Sequence, residues 1–324
     1  MQAFHLSQPA SLDAAVAAAS AQGAKFIAGG TDLMQLLKDN VEAPTELVDL
    51  EHLGLASIRA DGSELRLGAM ARMADVAAHP DVRAGWPVIC QALEASASPQ
   101  VRNMGTIGGN LLQRTRCGYF RDTGFACNKR EPGSGCPAIA GENRLLAILG
   151  GSDHCIATHA SDLAVALTAL DTVVELRGIN GERSVPIADF YRLPGDTPHI
   201  ETVLQPGEII TAVTVPASGA ARNSHYLKLR DRASFEFALV SVAVAFELRD
   251  GVVQDARLAA GGVGTRPWLL PDVEAALHGK APNDAVLRDA SSVAAVGAHP
   301  ARQNGFKQIL LQRAVFRALQ TASA

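Results

Sequence analysis

Lys25-Phe26-Ile27-Ala28-Gly29-Gly30-Thr31-Asp32-Leu33 is the stretch from which the chain is best read. Residues 25–28 have the composition of a short buried strand. Gly29-Gly30 ends it, and Thr31 stands where it can cap a helix from Asp32 to about Lys38. Adjacent glycines let a ligand approach the backbone, because no Cβ intervenes. The N–H groups at the start of the next helix favour an anion such as a pyrophosphate. Taken alone, the same stretch also reads as a tight turn before a capped helix.

A second stretch, Arg102-Asn103-Met104-Gly105-Thr106-Ile107-Gly108-Gly109-Asn110, interleaves glycines with Thr106 and Asn110, whose side chains can hydrogen-bond a ligand or the backbone. It is not G-x-G-x-x-G, which occurs nowhere in the chain, so a nicotinamide site of the Rossmann kind is not supported. Two separate polar loops suit a long dinucleotide with one pyrophosphate and two ring systems.

Outward from these loops the pattern mixes helix and strand. Ser11 caps a helix running to about Gln22, where Gly23 can stop it. Strands are expected at 46–50, 65–67, 173–176, 184–187 and 208–215, and helices at 73–78, 84–95 and 162–170, the last capped by Ser161. Residues 217–221 are small and read as a flexible linker. Beyond it, strands are expected at 226–229, 238–248 and 252–260, with Asp250-Gly251 as a hairpin turn. Helices at 270–277, 284–295 and 302–319 close the chain. The fold class is α+β in two domains, 1–216 and 222–324, the second a three-stranded sheet with helices.

Composition narrows the function. The chain has 324 residues, 48% of them hydrophobic, which is enough for two packed interiors. The formal net charge is −4 with no basic stripe, so nucleic acid is not an expected partner. No run of apolar residues is long enough to span a membrane. The N-terminus lacks a basic region followed by an apolar run, so no signal peptide of its own is expected. The chain is expected to be made in the cytoplasm and to leave it only folded, with a partner that carries an export signal.

Of five cysteines, Cys117, Cys127, Cys136 and Cys155 are clustered, spaced C-x9-C-x8-C-x18-C. The first three lie in an irregular stretch, 114–152, rich in Arg, Gly and Asn, and Cys155 comes just after it. This is neither the tight ferredoxin spacing nor a CxxC zinc pattern, so an iron–sulfur cluster, a zinc site and disulfides all stay open. The expected compartment disfavours disulfides. Arg114, Arg116, Lys129 and Arg130 lie close in sequence and would favour thiolates. Cys90 sits on an apolar helix face and reads as a buried structural thiol.

The two glycine loops resemble those of the FAD subunits of the xanthine oxidase family of molybdenum hydroxylases. There an A-G-G-T-[DSN]-L loop and a G-T-x-G-G-N loop grip FAD. Lys25 to Leu33 is similar to the first and Gly105 to Asn110 to the second, and Ala160-Ser161-Asp162 looks like the family's [PA]-S-D element. The resemblance implies a two-lobed FAD-binding domain of the vanillyl-alcohol oxidase (PCMH) type and a C-terminal flavoprotein domain. It implies FAD contacts from Lys25, Phe26, Ile27, Ala28, Gly29, Gly30, Thr31, Asp32, Leu33, Thr106, Gly109, Asn110, Asp162, Ile210 and Lys228. The cysteine stretch is similar to the flavin subunit of bacterial periplasmic aldehyde oxidoreductases, which implies a [4Fe-4S] cluster on Cys117, Cys127, Cys136 and Cys155 in an insertion at about 114–156.

By the same resemblance, the chain serves a heterotrimeric aldehyde oxidoreductase. A large subunit would carry the molybdenum cofactor and a small one two [2Fe-2S] clusters. FAD would deliver electrons to oxygen or a ferredoxin-like acceptor, and the complex would end in the periplasm. A hydroxybenzoyl-CoA reductase type of enzyme and a non-catalytic scaffold holding zinc or disulfides are the alternatives.

Overall fold

The computed structural model describes all 324 residues. His5–Ser7 (β1), Ala24–Ile27 (β2) and Glu46–Asp49 (β3) form a parallel sheet ordered β1-β3-β2. Parallel pairing requires crossovers, and the helices Leu12–Ala19 and Leu33–Lys38 supply them. Ser11 caps the first, its side chain accepting from the Ala14 N–H at 3.2 Å, but the helix ends at Ala19, short of Gln22.

The second lobe is antiparallel. Ile58–Ala60 (β4), Glu64–Gly68 (β5), Val173–Gly178 (β6), Gly181–Pro186 (β7) and Ile209–Pro216 (β8) pair in the order β4-β5-β8-β6-β7. Val174 and Leu176 alternate inward, as a half-buried strand requires. The helix expected at 84–95 is two helices, Pro80–Gly85 and Pro87–Ala95. Pro87 lacks an N–H and disfavours helical geometry at Trp86, so a new helix begins there.

The C-terminal sheet contains Ser224–Leu229 (β9), Val240–Arg249 (β10), Val252–Gly261 (β11) and Trp268–Leu269 (β12), ordered β12-β11-β10-β9. It therefore has four strands, not three; β12 is two residues long, too short to show a period of two. Strand β10 is buried on both faces from Val240 to Phe246. Val240, Val242, Val244 and Phe246 point into one core with the helices Pro271–Leu277, Asp284–Ser292 and Phe306–Ala322. Ala243 and Ala245 point into the other, against Leu163 and Leu167 of the helix Asp162–Thr168 and Leu93 of Pro87–Ala95. Alternation sends large side chains one way and small ones the other, and alanine lets the N-terminal helices approach the sheet closely. The two domains thus share a continuous interior.

The stretch 217–221 is not a flexible linker. Ser218 caps a helical turn, Gly219–Arg222, accepting from Ala221 at 2.9 Å, and Ala220 and Ala221 are buried. The last helix begins at Phe306 rather than 302, because Asn304 holds the preceding turn by accepting from the Ala301 N–H at 2.7 Å. No helix is long and apolar enough to cross a membrane.

Candidate functional site

The loop after β2 enters a cleft of about 940 Å³ between the lobes and the C-terminal sheet. Gly30 has φ +68°, a conformation open to glycine. A Cβ on Gly29 would overlap the Met104 carbonyl oxygen, so glycine is what lets the two loops touch. The backbone N–H groups of Gly29, Gly30, Thr31 and Asp32 have no acceptor within the chain. Four successive donors, half-buried and lining one cleft, form a nest for an anion.

The second loop is built differently. Its N–H groups are used internally: Ile107 donates to Ala71, Gly108 to Ala69, and Gly109 to Thr106 Oγ1 at 3.2 Å. Thr106 is the cap of the short helix Ile107–Leu111. Gly108 lies flat on Ala69, where a Cβ would meet the Ala69 methyl at 3.0 Å. Asn110 accepts from Ser161 Oγ at 2.5 Å, which ties this loop to the start of Asp162–Thr168.

Asp162 is the hub of the cleft. Its carboxylate accepts from Lys228 Nζ at 2.8 Å, Tyr226 Oη at 2.6 Å and Ser96 Oγ at 3.0 Å. The Asp162 and Lys228 side chains are 7% and 4% exposed, so the pair is desolvated. Lys228 also donates to the Ala95 carbonyl at 3.1 Å. Burial, and then the Asp162 charge, push the Tyr226 hydroxyl well above its usual range. His159 also lines the cleft, its ring edge-on to Tyr191 at 4.5 Å. Its Nδ1 accepts from the Ser161 N–H at 3.3 Å, and burial lowers its pKa to about 4. Lone histidines carry no sequence signal, and His159 was not among the expected site residues.

All fifteen residues expected around the flavin line this one cleft. Several are engaged elsewhere as side chains. Thr31 does not cap the following helix; Asp32 occupies the N-cap, without a side-chain cap bond. The Asp32 carboxylate accepts from the Arg114 N–H and Arg121, each at 2.8 Å, and from Arg116. Lys25 pairs with Glu42 at 2.5 Å.

Those arginines come from the cysteine stretch, which has only the short helices Gly118–Arg121 and Pro137–Ile139. Glu42 also meets Arg114, which reaches Glu201, and Glu201 pairs with Lys129 at 2.7 Å. Burial works to raise Glu201, but the Arg114 and Lys129 cations hold it below the usual carboxylate range. Cys117, Cys127, Cys136 and Cys155 line a second, small cavity of about 10 Å³. All are free thiols. No three His, Cys, Asp or Glu side chains converge closely enough for a single metal ion. Burial pushes the thiols of Cys117, Cys136 and Cys155 up, Cys155 to about 11, against the expectation of cation-favoured thiolates. Arg114 and Arg116 serve Glu42 and Asp32, and Arg130 donates to the Tyr119 and Phe120 carbonyls. Of the four expected cations, Lys129 acts on Cys155. Cys90 is 1% exposed inside the core, as expected of a structural thiol.

Residues 2–218 match the family model described as the FAD binding domain in molybdopterin dehydrogenase, and residues 225–322 the CO dehydrogenase flavoprotein C-terminal domain. The chain belongs to the FAD-binding subunits of the molybdenum hydroxylases, an oxidoreductase family, and its cofactor is FAD. It is 48% identical to the aldehyde oxidoreductase FAD-binding subunit PaoB of Escherichia coli K12, over 96% of this chain and 95% of that one. It is 26% identical to the carbon monoxide dehydrogenase medium chain of Afipia carboxidovorans, over 97% and 96% of the two. In three dimensions it is similar to the carbon monoxide dehydrogenase of Hydrogenophaga pseudoflava, with TM-score 0.76, 27% identity, and 99% and 97% of the chains covered.

Removing one member of a buried ion pair strands the other. Lys228→Met is expected to destabilise the chain by about 3–5 kcal/mol, and Lys228→Met with Asp162→Asn by clearly less than the sum of the single changes. Urea unfolding of the three variants checks this. His159 gives a pH signature. Its pKa is about 4 in the folded chain against an ordinary value of 6.5 when unfolded, so its contribution is complete above 6.5 and lost as pH falls toward 4. His159→Gln should remove roughly 1–3 kcal/mol of that acid dependence, read from unfolding curves between pH 4 and 7.

Proposed function

We propose that the chain is the FAD-binding, electron-transferring subunit of a heterotrimeric molybdenum-containing aldehyde oxidoreductase. The observation that carries this reading is the row of four unpartnered N–H groups at Gly29–Asp32 inside a cleft large enough for a dinucleotide. These donors suit the pyrophosphate of FAD. The other flavin-site residues, from Lys25 to Leu33 and on to Thr106, Gly109, Asn110, Asp162, Ile210 and Lys228, would shape the rest of the cleft around it. Bound FAD supplies a carrier of one or two electrons; the chain orients it, excludes water and sets the charge around it. The Asp162–Lys228 pair presents a cation that its own counter-charge already balances. The aldehyde substrate is supported by the 48% identical relative, named as an aldehyde oxidoreductase subunit.

The same reading gives Cys117, Cys127, Cys136 and Cys155 a [4Fe-4S] cluster. Its support is a donor set of three buried thiols and one half-buried thiol, Cys136, around one cavity. They do not converge on a point, which suits a polynuclear cluster better than one zinc ion. A cavity of about 10 Å³ holds one water at most, so cluster uptake requires the walls to move apart. Those walls are loops and single helical turns, which yield more easily than a sheet. The raised thiol pKa values mean that metal uptake releases protons. A large molybdenum subunit and a small [2Fe-2S] subunit would deliver the electrons, and oxygen or a ferredoxin-like protein would take them.

The purified complex is expected to oxidise aromatic aldehydes and to leave aryl-CoA thioesters unchanged; the reverse preference would assign the chain to the reductase class. Gly29→Ala forces the loop off the Met104 carbonyl and is expected to weaken FAD binding tenfold or more, measured by flavin fluorescence titration. An unchanged affinity would remove the loop from the site. Anaerobically purified Cys127→Ser should lose the iron and sulfide of one cluster while keeping FAD. Wild-type protein without iron would end the cluster assignment and leave the flavin assignment standing.

A further inference from the structure

Lys307 is fully buried on the apolar face of the helix Phe306–Ala322, one turn before Leu311. That position belongs to a core stripe that continues through Ala314, Val315 and Ala318. Lysine is rarely fully buried, and here no carboxylate pairs with it. Instead its ammonium donates to three backbone carbonyls: Gly262 at 2.6 Å, Leu145 at 2.9 Å and Leu146 at 3.1 Å. An ammonium has three protons and no acceptor, so the tripod uses its full capacity. Gly262 has no other donor within the chain.

The carbonyls belong to two segments distant in sequence that together make one wall of the cleft. Leu145 and Leu146 lie in the cysteine stretch between Cys136 and Cys155, Gly261 ends β11 and Gly262 follows it; all four line the cleft. The glycine turn is tight: Gly262 has φ +71°, and a Cβ there would collide with the Ala238 and Leu239 carbonyls. Ala238 and Leu239 line the cleft too. Behind Leu146, Asn304 donates to the Leu146 and Ala147 carbonyls at 3.2 Å each. Lys307 itself does not reach the cleft surface. It joins the two halves of the wall from behind.

We propose that Lys307 is a positioning residue for FAD, clamping the Leu145–Leu146 and Gly261–Gly262 segments into one rigid wall; this rests on reading the cleft as the flavin site. A merely apolar core would be served by methionine, which packs similarly but leaves three carbonyls without this donor. The clamp gives the buried charge a reason that core packing does not.

The test titrates FAD into cofactor-stripped wild type, Lys307→Met and Lys307→Arg, following flavin fluorescence and the visible absorption bands. Lys307→Met is expected to weaken FAD binding at least tenfold and to shift the flavin bands. Lys307→Arg, which restores a cation with several donors, is expected to recover most of the affinity. Wild-type affinity and spectrum in Lys307→Met would overturn the clamp alone. Failure of the wild-type chain to take up FAD would overturn the reading of the cleft, and the clamp with it. Should Lys307→Met not fold, amide exchange on the wild-type chain decides. Residues 145–147 and 262–264 are expected to slow together when FAD is added, and a response confined to one segment would overturn the proposal.

Discussion

One buried carboxylate organises the molecule. Asp162 begins a central helix and is reached by Lys228 and Tyr226 from the C-terminal sheet and by Ser96 from the end of Pro87–Ala95. Three donors from both domains close on one oxygen pair, so the domains cannot drift apart without exposing an unpaired charge to an apolar interior. The shared core reinforces the same junction through alanine rather than larger side chains. The cleft opens where this interior ends, so its back wall is the most tightly determined part of the fold.

The front of the cleft is held by charge rather than by packing. Asp32 and Glu42 lie beside the first glycine loop, and arginines of the cysteine stretch satisfy both. Arg114 continues to Glu201, and Glu201 to Lys129, whose charge acts on Cys155. Arg116 also stacks on Phe237, at 4.8 Å from the ring centroid, and both line the cleft. A chain of alternating charges therefore runs from the loop to the thiol cavity. Its members are partly buried, where such pairs matter more than they do on an open surface. Whatever orders the cysteine stretch also orders the mouth of the cleft.

Much of this was legible in the chain. Ser11, Ser161 and Asp250-Gly251 gave their caps and turn because those signals are local. The strand expected at 238–248 formed as β10, but nothing in that run told that its two faces serve two different cores. What the sequence hid is non-local. Two-residue β12 has no period of its own, and the turn at Gly219–Arg222 looked like a linker because small residues fill both linkers and tight junctions. The arginines of the cysteine stretch read as neighbours of thiols by sequence distance, whereas the fold turns them toward Asp32 and Glu42. Lys307 could have been noticed as a cation in an apolar stripe, but its three carbonyl partners lie some forty-five to one hundred and sixty-two positions away.

The two glycine loops look alike as sequence and differ as chemistry. Both combine doubled glycine with a threonine, yet only the first leaves a row of N–H groups without partners. In the second, glycine serves close packing: Gly108 presses on Ala69, Ile107 donates to Ala71, and Gly109 donates to Thr106 Oγ1. The difference follows from what comes next to each loop. The first is suspended between β2 and a helix that uses none of its donors, while the second is laid along the 69–73 backbone, which takes them. A polar backbone left open in a half-buried cleft is the feature that demands a ligand, and it is the first loop that presents one.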